Sequence, residues 1–145
     1  MNLPLPSASQ MLLRFGALHL TDLAVPDTEV VIDPLLLQAA AAGEPLDEWA
    51  SDEIAIATQT LARIADATSR ARNEVAFYLR YRPTEQSAPE WAVDDVMELA
   101  RYHLVDRAGK KGSTVRLRYQ DVITRLQTLA AQDRTDSVGT GASSN

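Results

Sequence analysis

Cysteine is missing from this sequence of 145 residues, and histidine is nearly so. Without cysteine the chain has no disulfide bond, no thiol nucleophile and no cysteine metal site. The two histidines, His19 and His103, do not stand at metal-ligand spacing from other histidines or carboxylates in a recognisable motif. Aromatic residues make up 6% of the chain, too few for a surface that stacks the bases of single-stranded nucleic acid. We therefore expect no metal site and no cofactor.

Signatures of catalysis and of membrane insertion are also missing. The glycine-bounded segment Gly109–Gly112 lacks the spacing and the Lys-Ser/Thr ending of a phosphate-binding P-loop. Asp94 and Asp95 are neighbours on a predicted helix, where they point about 100° apart and do not form a paired dyad. No apolar run is long enough to span a membrane, and no basic residue precedes Arg14, as a secretory signal would require. The sequence thus argues against an enzyme and against a membrane protein.

Basic residues are scarce in the first third of the chain, although the whole chain carries a net charge of only −6. Residues 1–53 contain one basic residue and nine acidic residues, whereas the remaining 92 residues contain 13 basic and 11 acidic ones. This asymmetry argues against a protein whose whole surface binds nucleic acid. It suits head-to-tail contacts between copies, where unlike patches meet. A solvated acidic face explains it equally well.

Two groups of charged residues are candidate contact surfaces. The first group is a set of candidates for contacts between subunits. It comprises cations on the second half of a long predicted helix and acidic residues before and at the start of that helix. A second basic cluster surrounds a glycine-bounded turn and is a candidate for contact with DNA phosphates, with an outward-facing solvated turn as the alternative. The subunit-interface candidates are Arg63, Arg70, Arg72, Asp47, Glu48, Asp52 and Glu53, and the DNA-facing candidates are Lys110, Lys111, Arg116 and Arg118.

Glycine and proline are few and stand where helices would begin or end, which favours an all-α fold. Ser7 or Ser9 is positioned to cap a first helix that runs to about Phe15, and Gly16 would stop that helix. A later proline, Pro26, forbids a continuous helix across the segment that follows.

The segment near residues 21–32 is accordingly predicted to be an irregular loop, and a brief strand over Val30, Val31 and Ile32 is left open, because one short apolar run does not decide between the two. Asp33 and Pro34 form a helix start, with an acidic cap and proline at the first helical position. This short apolar helix would end at Gly43, whose freedom to adopt a left-handed conformation suits a helix stop.

One predicted helix stands out by its length. Ser51 is positioned as its N-cap, and Asp52 and Glu53 fall in its first turn, where the helix dipole favours acids. Apolar residues recur at spacings of three and four as far as Arg80, which gives a helix roughly 40 Å long. Because that length is large for a domain of this size, part of the helix is available for a subunit contact.

Two further helices complete the predicted bundle. Glu90 opens one of them and Ser113 opens the last, and both carry an apolar stripe. From Asp133 onward the chain is polar and lacks the apolar residues needed to fold alone. We therefore predict about five helices in a small all-α bundle with one long central helix, a helical domain of residues 1–132, and a disordered, flexible tail of residues 133–145.

Several segments together resemble one family of phage proteins. The order and spacing of these segments along the chain match the pattern of the family, although each segment alone is too short to be diagnostic. These segments are Met11–Gly16, Leu20–Asp22, Arg72–Arg82, Glu98–Leu104 and Arg118–Leu129. Over residues 9–131 the sequence resembles the Mu-like phage gp36-type family, which is similar to the helical head–tail connector proteins of long-tailed phages.

The sequence departs from the family pattern in three places. The region of residues 23–60 is longer than in shorter members, Phe77 stands where members often have glycine, and the loop from Pro83 to Pro89 differs from the usual Leu-Pro. These departures concern the outer contacts of the protein and leave the helical core unaffected.

The resemblance implies a structural virion protein at the head–tail interface, assembled in the host cytoplasm. Roughly twelve copies would form a ring under the portal, extend the DNA channel and offer a platform for tail attachment. The implied partners are the portal protein, a tail-side stopper or tail completion protein, and the genomic DNA, with the basic cluster facing the lumen. The alternative is a small helical DNA-binding regulator or packaging accessory protein that uses the same basic cluster.

Overall fold

The computed structural model describes residues 2–26, 30–83, 88–107 and 113–143. Within these residues the protein is all-α, as predicted, with six helices and no strand. The helices are α1 (Ala8–Phe15), α2 (Ala17–Ala24), α3 (Pro34–Ala41), α4 (Ser51–Tyr78), α5 (Glu90–Arg107) and α6 (Ser113–Ser143). The sequence predicted about five, and the additional helix is α2.

The core lies between the three long helices, with the short N-terminal helices packed against α4. The most extensive contact is that of α4 with α5, and α6 packs on both of these helices. α3 packs on α4, and α2 packs on both. The large, fully buried side chains of this core include Met11, Leu20, Leu36, Leu37, Ile64, Val75, Val96, Leu99 and Leu126. Their positions on α4, α5 and α6 follow the apolar stripes of the sequence.

The first helix begins with a capping box and ends at a glycine. The Ser7 hydroxyl accepts a hydrogen bond from the amide of Gln10 (3.1 Å), while the Gln10 side chain accepts one from the amide of Ser7 (2.8 Å). Ser7 is therefore the cap, and Ser9 instead donates to the carbonyl of Ala41. Gly16 ends α1 as predicted, and α2 begins at the next residue.

The irregular segment before α3 begins later than the sequence predicted. Residues 21–24 belong to α2, and the helix ends only at Val25, which has extended backbone angles. The ring of Pro26 disfavours the helical conformation for the single residue before it and places no restriction on residues further upstream. The prediction of an irregular start at residue 21 was therefore wrong by four residues.

We expect Gly16→Ala to lower the free energy of unfolding by about 1–3 kcal/mol, because φ +90° and ψ 143° at Gly16 form a combination open essentially to glycine alone. No atom lies within 4 Å of the position that a Cβ would take, so the cost arises from the backbone. Gly43→Asn is the matched control, because φ +72° at Gly43 is in the left-handed region that asparagine tolerates. Urea denaturation of both variants measures the difference, and an unchanged Gly16→Ala midpoint would contradict this account.

The third helix begins and ends as the sequence predicted. The Asp33 carboxylate accepts a hydrogen bond from the amide two residues later (2.9 Å), and Pro34 occupies the first turn. At the other end, the amide of Glu44 donates to the carbonyl of Ala39 (3.0 Å) across Gly43. This pattern is a Schellman motif, which requires the left-handed residue that glycine supplies.

The N-cap of the long helix lies one residue earlier than the sequence predicted. Ala50 is the N-cap and makes no side-chain hydrogen bond, whereas Ser51 is already helical. The prediction that Ser51 caps α4 was wrong, because a capping side chain must belong to the extended residue before the helix. α4 ends at Tyr78, and its 28 residues span about 42 Å.

The last helix continues past the predicted domain boundary. Asp133 lies within α6 and forms an ion pair with Arg82 (2.9 Å). Beyond it, the side chains of residues 134–137 are exposed, and Ala130 is the last buried residue among those that the structure describes. The last side chains that pack on the rest of the protein are therefore those of Ala130 and Asp133, whereas the helix continues beyond them. The division into a folded domain and a separate tail stays a prediction.

Candidate interaction surfaces

A groove with an apolar rim and acidic side chains lies beside the first turns of α4. The extended segment before α3 forms one wall, and α4 forms the other, enclosing about 550 Å³. We call this surface the acidic groove, and its lining residues are Val30, Val31, Ile32, Asp33, Asp52, Glu53, Ala55, Ile56 and Gln59.

The segment that forms the first wall is held in place by one residue while its neighbours stay exposed. Ile32 is buried and fixes the segment against the core, whereas Val30 is 79% exposed and Val31 is 60% exposed. On the opposite wall, Asp52 and Glu53 occupy the first turn of α4, where the helix dipole stabilises them. Among the described residues neither carboxylate has a cationic partner. The groove thus combines exposed apolar side chains with carboxylates that have no cationic partner among the described residues.

The opposite end of α4 carries a cation between two aromatic rings. The guanidinium of Arg80 lies 3.9 Å from the ring centre of Phe77 and 4.5 Å from that of Tyr81. It also donates hydrogen bonds to the Phe77 carbonyl (2.7 Å) and to the Tyr81 hydroxyl (3.3 Å). Basic side chains commonly bond the last carbonyls of a helix in this way. We call these three residues the Arg80 cluster; its phenylalanine is 56% exposed.

A network around Glu98 connects three helices. This carboxylate pairs with Arg14 of α1 (3.1 Å) and with Arg101 on its own helix (2.8 Å), and Arg118 of α6 lies 3.8 Å away. The guanidinium of Arg101 also lies 4.5 Å from the ring centre of Phe15. Burial lowers the pKa of Arg101, and the charge of Glu98 acts in the opposite direction. This network stabilises the contact of α1 and α6 with α5.

The two adjacent aspartates on α5 have different partners. Asp94 is exposed and pairs with Arg14 (3.2 Å). Asp95 is buried, and both of its carboxylate oxygens accept hydrogen bonds from Arg125 of α6 (2.5 and 2.6 Å). Burial raises the pKa of Asp95, and the hydrogen bonds from Arg125 oppose that rise. The arrangement joins α5 to α6.

A polar and aromatic contact connects the C-terminal part of α4 with α5 and α6. Nε2 of His103 is hydrogen-bonded to the Glu74 carboxylate. Beside this pair, the rings of Tyr102 and Tyr119 stack with their centres 3.9 Å apart. Burial raises the pKa of Tyr119, and the charge of Glu74 adds to that effect. His103 is half-buried between helices, as expected of a histidine with a packing role. In the part of the chain that the structure describes, no three histidine or carboxylate side chains are grouped to hold a metal ion.

The structure places the predicted subunit-interface cations in different environments. Arg63 donates a hydrogen bond to the carbonyl of Val25 (3.3 Å), and Arg72 donates one to the carbonyl of Leu3 (2.9 Å). Both side chains are half-buried within the subunit, whereas Arg70 is exposed. A role for these three cations between subunits stays a prediction.

The predicted acidic residues fall into two groups. Asp47 and Glu48 are exposed in the connection between α3 and α4, and Asp52 and Glu53 line the acidic groove. Sequence reasoning missed the Arg80 cluster, although the bulky Phe77 in place of the glycine common in the family was a signal for it.

The predicted DNA-facing residues are only partly described. Arg116 and Arg118 are exposed on the first turns of α6, and Arg118 lies within reach of Glu98. Lys110 and Lys111 lie outside the described residues. Their predicted contact with DNA is therefore untested.

The comparisons with known proteins identify the family. The family model described as Bacteriophage Mu, Gp36 matches residues 6–143, a range that includes all six helices. No curated protein and no solved structure matches the chain. In the described residues, no helix combines the length and the hydropathy needed to cross a membrane. The chain is thus a phage protein and belongs to the Bacteriophage Mu Gp36 family.

Proposed function

We propose that this protein is a structural virion protein, a head–tail connector that forms a ring of roughly twelve copies under the portal. The observation that carries the proposal is the presence of unlike surfaces at the two ends of α4, one acidic and apolar, the other cationic and aromatic. Rings require such a heterologous contact, in which one patch meets a different patch on the next copy. Membership of a phage family supports the same conclusion.

The proposed ring extends the DNA channel and binds the portal on one face and a tail-side stopper or tail completion protein on the other. It acts at the head–tail interface of the virion, after assembly in the host cytoplasm. It has no enzymatic role, no cofactor and no membrane partner. The exposed apolar side chains of α1, α2 and α3 offer surfaces for such protein partners, with Leu13 at 90%, Leu18 at 73% and Leu35 at 64% exposure.

The basic cluster around the start of α6 faces the channel in this proposal. Lys110, Lys111, Arg116 and Arg118 would then form a ring of positive charge around the genomic DNA. Because DNA has to slide through the channel, the attraction to phosphate should be weak for each subunit and should fall steeply with added salt.

The proposal predicts assembly of the purified protein, alone or on the purified portal. Light scattering after size-exclusion chromatography should give the mass of a ring, and electron microscopy should show a ring that is coaxial with the portal. A protein that stays monomeric in both conditions contradicts the connector role. A monomer or dimer that binds duplex DNA with sequence preference would favour the regulator instead.

A further inference from the structure

We propose that the Arg80 cluster of one copy docks into the acidic groove of the next copy and forms the repeating contact of the ring. This inference rests on the proposed function, because it names the surfaces through which the copies meet. Both surfaces belong to every copy, so each copy offers one groove and one cluster.

The two surfaces cannot meet within one chain. Asp52 lies in the first turn of α4 and Phe77 in its last turn, which places them about 38 Å apart along the helix axis. A continuous helix separates them, so a contact between them has to join two molecules. A contact between two different patches repeats from copy to copy and ends only when the assembly closes into a ring.

The charges of the two surfaces are complementary. Arg80 has five N–H donors, and two of them are used within the chain, by the Phe77 carbonyl and the Tyr81 hydroxyl. The remaining donors match the carboxylates of Asp52 and Glu53, which have no cationic partner among the described residues. Hydrogen bonds between a guanidinium and a carboxylate are stronger than those between neutral groups.

The apolar parts of the two surfaces are complementary as well. The exposed ring of Phe77 meets Val30 and Val31, which are both largely exposed, and Ile56, which also lines the groove. Large apolar side chains left in water on both surfaces gain from mutual burial. The groove volume of about 550 Å³ is within the range of pockets that hold ligands larger than one aromatic ring.

The rigidity of the Arg80 cluster reduces the cost of docking. Its guanidinium is already fixed by two hydrogen bonds and two aromatic rings. Ordering a flexible arginine at an interface consumes free energy, and a side chain that is pre-arranged avoids most of this loss. Aromatic residues and arginine are also the residues that most often dominate interface energetics.

Charge reversal tests the contact. Glu53→Lys and Arg80→Glu should each raise the apparent dissociation constant of assembly at least tenfold, and the double variant should recover most of the affinity. Asp66→Lys and Arg134→Glu carry the same charge changes at exposed positions outside both surfaces and should assemble normally. Circular dichroism checks that every variant is folded, and Glu53→Gln and Arg80→Gln replace any variant that is not.

Disulfide trapping gives a second, independent test, because the chain has no cysteine of its own. Oxidation of the double variant Val31→Cys/Phe77→Cys should give a ladder of covalent oligomers that ends at the copy number of the ring. Either single variant should stay uncrosslinked, and Leu13→Cys/Phe77→Cys should give no ladder.

The outcomes separate the two proposals. If the unmodified protein forms no ring on the portal, the proposed function fails. If rings form but the charge variants assemble normally and the cysteine pair gives no ladder, the docking contact alone is wrong.

Discussion

Replacing Leu99 with alanine is expected to lower the free energy of unfolding by about 2–5 kcal/mol. Leu99 is fully buried on α5, the helix that packs against both α4 and α6. Removing its isopropyl group forfeits the burial of three carbons and leaves a cavity that the long helices cannot close without shifting. Because domains of this kind are stable by only about 5–15 kcal/mol, the loss is a large share of the total. Urea denaturation followed by circular dichroism measures it.

The matched control is Leu13→Ala, the same substitution at a side chain that is 90% exposed. Its effect should stay within about 0.5 kcal/mol, as is usual for surface substitutions. Equal losses for the two variants would contradict the packing of α5 described above. Leu13→Ala should instead affect partner binding if this leucine lies on a docking surface.

The apolar stripe of α5 could be predicted from the sequence because local spacing alone determines it. Ala92, Val96, Ala100 and Leu104 recur at intervals of four, Leu99 follows Val96 by three, and all five are buried. The start of α3 was equally accessible, since Asp33 followed by Pro34 combines a side-chain cap with a fixed backbone angle. Features that depend on residues within about one helical turn of each other could therefore be predicted from this sequence.

The helix α2 could not be predicted in the same way. It begins directly after Gly16, whose φ of +90° lets the chain turn without a loop, and the residue type does not state which conformation a glycine takes. Tertiary contacts of α2 with α3 and α4 then stabilise a helix of only eight residues. Isolated helices of that length are marginal in water, so their existence depends on packing that the sequence does not display.

The interaction surfaces, like the helices, could be predicted from the sequence only in part. The charge asymmetry predicted that Asp52 and Glu53 take part in a contact surface, and the structure places both in one groove. The role of Val30 and Val31 in the same groove depends on the position of the extended segment beside α4, which is a tertiary feature. The Arg80 cluster depends on the course of the chain at the end of α4, where Arg80 and Tyr81 lie beside the exposed ring of Phe77, and helical periodicity does not determine that arrangement.

Loss of the Glu98 carboxylate is the second change with a large expected effect. Glu98→Ala should lower the free energy of unfolding by about 2–4 kcal/mol, because removing one partner of a largely buried ion pair leaves an uncompensated charge. The side chains of Glu98 and Arg101 are each only 12% exposed. The buried Nε of Arg101 already lacks a hydrogen-bond partner among the described residues, so the guanidinium has no substitute acceptor there.

Repulsion adds to this loss. Arg14, Arg101 and Arg118 all approach Glu98, and without it three positive charges face one another. Glu98→Gln keeps an acceptor but not the charge, so it should cost about 1–2 kcal/mol. Asp94→Ala is the control: its side chain is 56% exposed and its partner Arg14 keeps Glu98, so the loss should stay below about 1 kcal/mol.

Added salt and a compensating substitution distinguish the repulsion between the cations from the cost of leaving the buried charge of Arg101 without a partner. Adding 1 M NaCl screens the repulsion between the exposed cations, so the loss in Glu98→Ala should shrink but not vanish, because burial of Arg101 continues to oppose its charge. The double variant Glu98→Leu/Arg101→Leu removes the most buried of the three cations together with its partner and should be more stable than Glu98→Ala. Replacing a buried pair by apolar residues is often neutral or stabilising. If the double variant is instead the less stable protein, Arg101 contributes through its packing on Phe15 and the charge argument is wrong.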